Sequence, residues 1–89
     1  MAFGINTFEV EDYAKWRAVF DRGDHIREAF GIREARVFQD ANDANKLTVL
    51  VEGNQSDLEA FYGSQELKEA MAEAGALTPL QPLFVNEVT

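Results

Sequence analysis

An α+β fold, with a four-stranded antiparallel sheet and helices on one of its faces, is predicted by three observations. Four short runs rich in β-branched and aromatic residues lie at positions 3–10, 32–40, 46–52 and 83–88. Two longer stretches, 12–31 and 56–75, repeat apolar residues at helical spacing. In chain order these give β-α-β-β-α-β, the split-βαβ or ferredoxin-like arrangement. Residues 1–89 are one domain with no internal linker, repeat or low-complexity segment.

The first run, FGINTFEV, sets Phe3, Ile5 and Thr7 against Asn6, Phe8 and Val10, so both faces of this strand are largely apolar. The stretch 12–31, DYAKWRAVFDRGDHIREAFG, follows. Tyr13, Trp16, Val19, Phe20, Ile26 and Phe30 form its apolar stripe. Asp12 suits the N-cap, where a carboxylate accepts from free backbone N–H groups. Gly31 suits the position after the last turn, where positive φ costs glycine nothing. Gly23-Asp24 interrupts the pattern, so a helix to about Arg22 should break and resume to Phe30, with Asp24 capping the second piece. IREARVFQD (32–40) and KLTVLVE (46–52) alternate as strands around the turn-rich ANDAN and form a hairpin. In the second helical stretch Ser56 and Glu59 fit a capping box. Gly63-Ser64 then interrupts it, Ser64 recaps it, and Gly75 ends it, with Leu77 packing back over the last turn. Pro79 and Pro82 stiffen the connector to the last strand, LFVNEV.

Composition narrows the function. The net charge of −8 argues against nucleic acid and anionic membranes, which demand a basic face. Charge is uneven: residues 15–36 carry six bases against four acids, and residues 37–89 two against nine. An anionic group would therefore be welcomed around the first helix and second strand. The chain has no cysteine and one histidine, which leaves out disulfides and makes a zinc or iron site improbable. DANDAN at 40–45 lacks the glycine and glutamate of a calcium loop. No apolar run is long enough to span a bilayer and no basic leader precedes residue 3, so a cytoplasmic protein is expected. The two helical stretches cover one sheet face, yet strands one, three and four are apolar on both. A second copy is expected on the bare face.

The whole pattern resembles the dimeric α/β-barrel superfamily: D-Y-x-K-W-x-x-x-F-D (12–21), R-x-x-x-G-I (27–32), a hairpin, and S-x-E-L-x-E-A-M-x-x-A-G (64–75). More narrowly it is similar to the small antibiotic-biosynthesis-monooxygenase-type domains. The resemblance implies a homodimer joined through its sheets, with a ligand cleft in each subunit between helices and sheet. It implies a small-molecule-binding domain, and an activity like that of the cofactor-independent monooxygenases on a flat organic substrate. A non-catalytic metabolite-binding or regulatory dimer is the alternative, and an isomerase or cyclase a third reading. In the haem-degrading branch an Asn on the first strand works with a Trp and a His on the second helix. Asn6 matches by position, but Trp16 and His25 lie in the first helical stretch, so no haem or other cofactor is expected.

Within this frame the catalytic candidates are His25, Asn6 and Tyr62. His25 is the one group that titrates near neutrality and so the natural proton shuttle; the plain alternative is a helix-edge histidine. Asn6 sits among apolar residues and must be hydrogen-bonded if buried. Tyr62 offers a phenolic proton or simply packs. Trp16, Tyr13 and Phe20 would line a slot for a flat ligand, and Arg27 would meet an anionic group on it. Arg33 and Arg36 are read as solvated or structural, the alternatives being that one of them crosses to the partner subunit or pairs with an acid such as Glu52.

Overall fold

The computed structural model describes residues 2–88. Its elements are β1 (Ala2–Glu9), α1 (Tyr13–Arg22), α2 (Asp24–Ala29), β2 (Glu34–Gln39), β3 (Lys46–Gly53), α3 (Gln55–Tyr62), α4 (Gln65–Glu73) and β4 (Leu83–Asn86). The strands form one sheet in the order β2-β3-β1-β4, antiparallel between every pair of neighbours. This is the expected ferredoxin-like order, with each helical stretch divided in two.

The divisions fall where glycine stands. Gly23 closes α1 by donating to Phe20 O, and Gly63 closes α3 by donating to Glu59 O, each at 3.0 Å. Asp12 caps α1 through Lys15 N, and Ser64 caps α4 through Leu67 N. Gly31 and Gly75 take φ of +76° and +79°, the left-handed turn that lets the chain leave each helical pair.

Three local expectations are corrected. The capping box at Ser56 does not form: α3 begins at Gln55 behind Asn54, which makes no side-chain cap bond. Gly53 ends β3 directly before it, so the chain enters the helix two residues early, and Glu59 accepts from Gln55 Nε2 instead. Asp24 does not cap α2 either; it is the first helical residue, and its carboxylate takes Arg27. Leu77 is 60% exposed, because its backbone N–H is pinned to Glu9 O at 2.8 Å and its side chain points away. Arg36 pairs with Glu34 at 3.7 Å, and both side chains are largely exposed, as a solvated role expects.

The pleat of the sheet sorts the side chains. Phe8 and Asn6 of β1, and Leu47, Val49 and Val51 of β3, face the helices and are buried. Trp16, Leu58 and Phe61 close over them. On the opposite face Ile5 lies between Leu50 and Leu83, and Phe3 between Glu52 and Val85. Leu83 is 61% exposed and Phe38 50%. Among the described residues no helix is long and apolar enough to cross a membrane.

Leu47 is fully buried between Phe8 and Gln39 on the neighbouring strands. Leu47→Ala should lower the unfolding free energy in urea by roughly 2–5 kcal/mol, a lost side chain plus an unfilled cavity.

Candidate functional site

Between the helices and the sheet lies a cavity of about 70 Å³. That is room for about two water molecules at roughly 30 Å³ each and about half of the ~150 Å³ that holds a benzene ring, so an aromatic ligand needs its walls to part. Its floor is the inward face of β1 and β3, with Asn6, Phe8, Val49 and Val51. Trp16, Phe20, Ile26 and Arg27 wall one side; Phe61, Tyr62, Leu67 and Met71 wall the other. Leu80, on the connector before β4, also borders it.

The aromatic wall is built by helical spacing. Trp16 and Phe20, one turn apart on α1, stack with centroids 4.9 Å apart, and Phe8 supports the indole from the sheet at 5.7 Å. Tyr13 stacks behind Trp16 at 6.2 Å, its N–H held by Asn45 Oδ1, and it is not among the cavity's lining residues. Trp16 therefore belongs to the core and borders the cavity at once.

Asn6 is 2% exposed. Its Oδ1 accepts from Gln81 N at 3.0 Å, which ties the connector to the sheet. Its amide nitrogen has no partner among the described residues. No fully enclosed side-chain nitrogen or oxygen there is left unpaired, so this NH2 borders open space, and the space beside it is the cavity. The orientation of the amide follows from that bond: oxygen to the connector, hydrogens to the cavity.

Tyr62 packs edge-on against Phe61 at 5.3 Å and Phe84 at 5.8 Å. Burial disfavours the phenolate and pushes its pKa from 10.0 to about 12. At neutral pH the hydroxyl is a donor and not a base. Gly4 makes room for this ring: a Cβ there would come within 2.6 Å of Tyr62 Cε2. A glycine inside a strand run is a sign of such close approach. Arg27 is the one charged residue lining the cavity among those described. Its guanidinium lies 4.0 Å from the centre of the Phe20 ring and pairs with Asp24.

His25 is elsewhere. It is exposed and borders an outer groove between α2 and α4, opposite Glu66, Glu69 and Glu73. Asn6, Tyr62, Trp16, Phe20 and Arg27 meet around one cavity; His25 and Tyr13 do not line it. The α4 residues Leu67 and Met71, and Leu80, were missed as lining residues, because periodicity marks them only as core. Among the described residues no group of three His, Cys, Asp or Glu could hold a metal ion.

No family model matches the chain, and no curated protein matches it. Solved structures do. A protein from Bordetella bronchiseptica, described as a candidate antibiotic biosynthesis monooxygenase, superposes with a TM-score of 0.81 at 14% identity, covering 99% of this chain and 97% of that one. SnoaB, a cofactor-independent oxygenase from Streptomyces nogalater, gives 0.70 at 13% identity over 99% and 93%. Rv0793 from Mycobacterium tuberculosis gives 0.71 at 17% over 99% and 95%. At these identities the likeness shows the fold, and it is the fold of the antibiotic-biosynthesis-monooxygenase-type proteins that the sequence resembles.

The raised Tyr62 pKa has a sign. Between pH 10 and 12 the unfolded chain loses this proton while the folded chain keeps it, so stability is full below 10 and falls as pH rises towards 12. Thermal unfolding at pH 9 to 12 should show that fall, and Tyr62→Phe should lessen it. The tyrosinate absorbance missing from Tyr62→Phe should be the part that develops near pH 12.

Proposed function

We propose that this chain is a homodimeric small-molecule-binding domain whose cleft takes a flat organic molecule, with chemistry of the cofactor-independent monooxygenase kind. One observation carries the reading: a buried amide, Asn6, has its oxygen turned to the connector and so presents its hydrogens to a cavity walled by aromatic side chains. Trp16 and Phe20 stack on the ligand ring. Asn6 and Tyr62 donate to an oxygen on it, and Arg27 lies within reach of its edge. Donors of this kind stabilise the phenolate left when a hydroxylated substrate gives its proton to solvent; the phenolate then passes electrons to dioxygen, one oxygen atom of which enters the ring to give a quinone while the other leaves as water. An isomerase or cyclase would use the same donors, and consumption of dioxygen is what distinguishes the oxygenase from them.

A second reading, a binding dimer without catalysis, is favoured by the position of His25. The proton-shuttle role needs an imidazole beside the substrate, and His25 faces the outer groove. In the oxygenase reading the substrate must therefore ionise with the help of donors alone.

The bare sheet face supports the pairing of copies, since Phe3, Ile5, Leu50, Leu83, Val85 and Phe38 gather there. Two such faces packed together would bury on the order of 2,000 Å². The cysteine-free composition fits a cytoplasmic setting.

Oxygen uptake with a panel of single-ring hydroxylated aromatics tests the function, with Trp16 fluorescence reporting binding. Uptake with one of them, lowered about 10- to 100-fold in Asn6→Ala, is the expected result. Binding without uptake selects the non-catalytic reading, and neither binding nor uptake overturns both. For the assembly, Ile5→Lys should convert a sedimenting dimer into a single copy of 10.0 kDa. Unaltered sedimentation would overturn the sheet-face pairing.

A further inference from the structure

Arg27 is placed unusually for an arginine on a six-residue surface helix. Its side chain is only 12% exposed, while its partner Asp24 is 76% exposed. The guanidinium lies over the Phe20 ring, and these two residues border both the inner cavity and a polar recess on the outside, where Arg17 and Arg33 stand among Asp21, Glu28 and Glu34. They form the partition between the two spaces. A guanidinium carries five N–H donors in a fixed fork. Asp24 takes Nη2. The remaining donors have no acceptor among the described residues, and no enclosed polar atom is left unpaired there, so they border open space on one side of the partition or the other.

The cavity's own polarity points the same way. Asn6 has spent its oxygen on Gln81, so it presents hydrogens. Arg27 has only hydrogens to present. The cavity therefore offers a ligand the Asn6 hydrogens and, at its Arg27 edge, a guanidinium whose charge Asp24 offsets only from the solvent side, between apolar walls. A ligand with donors at its polar end leaves these groups unmatched; one with acceptors and a negative charge matches them.

Resting on the reading of this cavity as a ligand site, we infer that Arg27 selects the ligand by charge, and that the cleft is built for a planar molecule bearing a carboxylate. A carboxylate is the group whose two oxygens fit the guanidinium fork, and the pair forms where water is largely excluded. Asp24 holds the fork in position from the solvent side and competes with the ligand for it.

The test is Trp16 fluorescence titration of the full chain at pH 7 with benzoate and with benzamide, which share shape and differ in charge. Benzoate should bind about tenfold or more tightly than benzamide. Arg27→Gln should bring the two together, and Arg27→Lys should restore part of the difference. Equal binding to the unaltered protein, or a preference that survives in Arg27→Gln, would overturn charge selection and leave the ligand cavity standing. Failure of both compounds to bind would overturn the ligand cavity itself. Should Arg27→Gln not fold, Asp24→Asn decides: freed of its competitor, Arg27 should hold benzoate roughly two- to fivefold more tightly, and no gain would overturn the proposal.

Discussion

The alternation of β1 is the constraint on which the molecule depends. This strand is central, hydrogen-bonded to β3 along its whole length and to β4 along its first half. Its even positions, Ala2, Gly4, Asn6 and Phe8, meet the helices; its odd positions, Phe3, Ile5 and Thr7, meet the other side. Because the side-chain period is two, slipping its pairing by one residue would exchange these sets. Phe8 would leave Trp16, and Asn6 would leave Gln81. Core, cavity and bare face are thus consequences of one register.

The even positions also explain why a cavity exists. A strand with four large apolar residues there would fill the space under the helices. Instead β1 offers Ala2, Gly4 and a polar Asn6 before Phe8, so only one of the four is a bulky hydrophobe. Gly4 gives its room to the Tyr62 ring. Asn6 is a costly residue to bury, and its oxygen is matched by a backbone N–H contributed from 75 residues away. That bond, with Leu77 N to Glu9 O and Glu9 N to Thr78 Oγ1, fixes the path of a proline-bounded connector that has no helix or strand of its own. Leu80 is thereby held at the edge of the cavity.

The opposite face raises a different energetic problem. A monomeric sheet that meets water on one side is ordinarily polar there. Here Thr7 and Thr48 satisfy each other across the strands at 3.0 Å, and Phe3, Ile5, Leu50, Phe38, Leu83 and Val85 share the face with the charged Glu9, Glu34, Arg36, Lys46 and Glu52. Every helix in the fold is already committed to the other side. The shared architecture with antibiotic-biosynthesis-monooxygenase-type structures speaks to this layout and not to chemistry, which depends on side chains that differ at identities near 14%.

Element order, helix breaks and the two-sided apolar sheet were all legible in the sequence, because periodicity, glycine and capping residues act over a few neighbours. Asp12 and Ser64 cap as expected for that reason, while Ser56 and Asp24 fail because the ends of β3 and α1 set where the next helix starts. The aromatic spacing of Trp16 and Phe20 likewise marked one wall of the cavity. Which residues meet there was decided only by the tertiary structure. His25 and Ile26 are adjacent in sequence, yet one faces the outer groove and the other lines both that groove and the cavity. A helix turns each side chain by about 100° from the last, so adjacency in sequence carries no information about a shared site. The direction of the Asn6 amide was equally hidden, because it is set by Gln81, a residue that only folding brings to it.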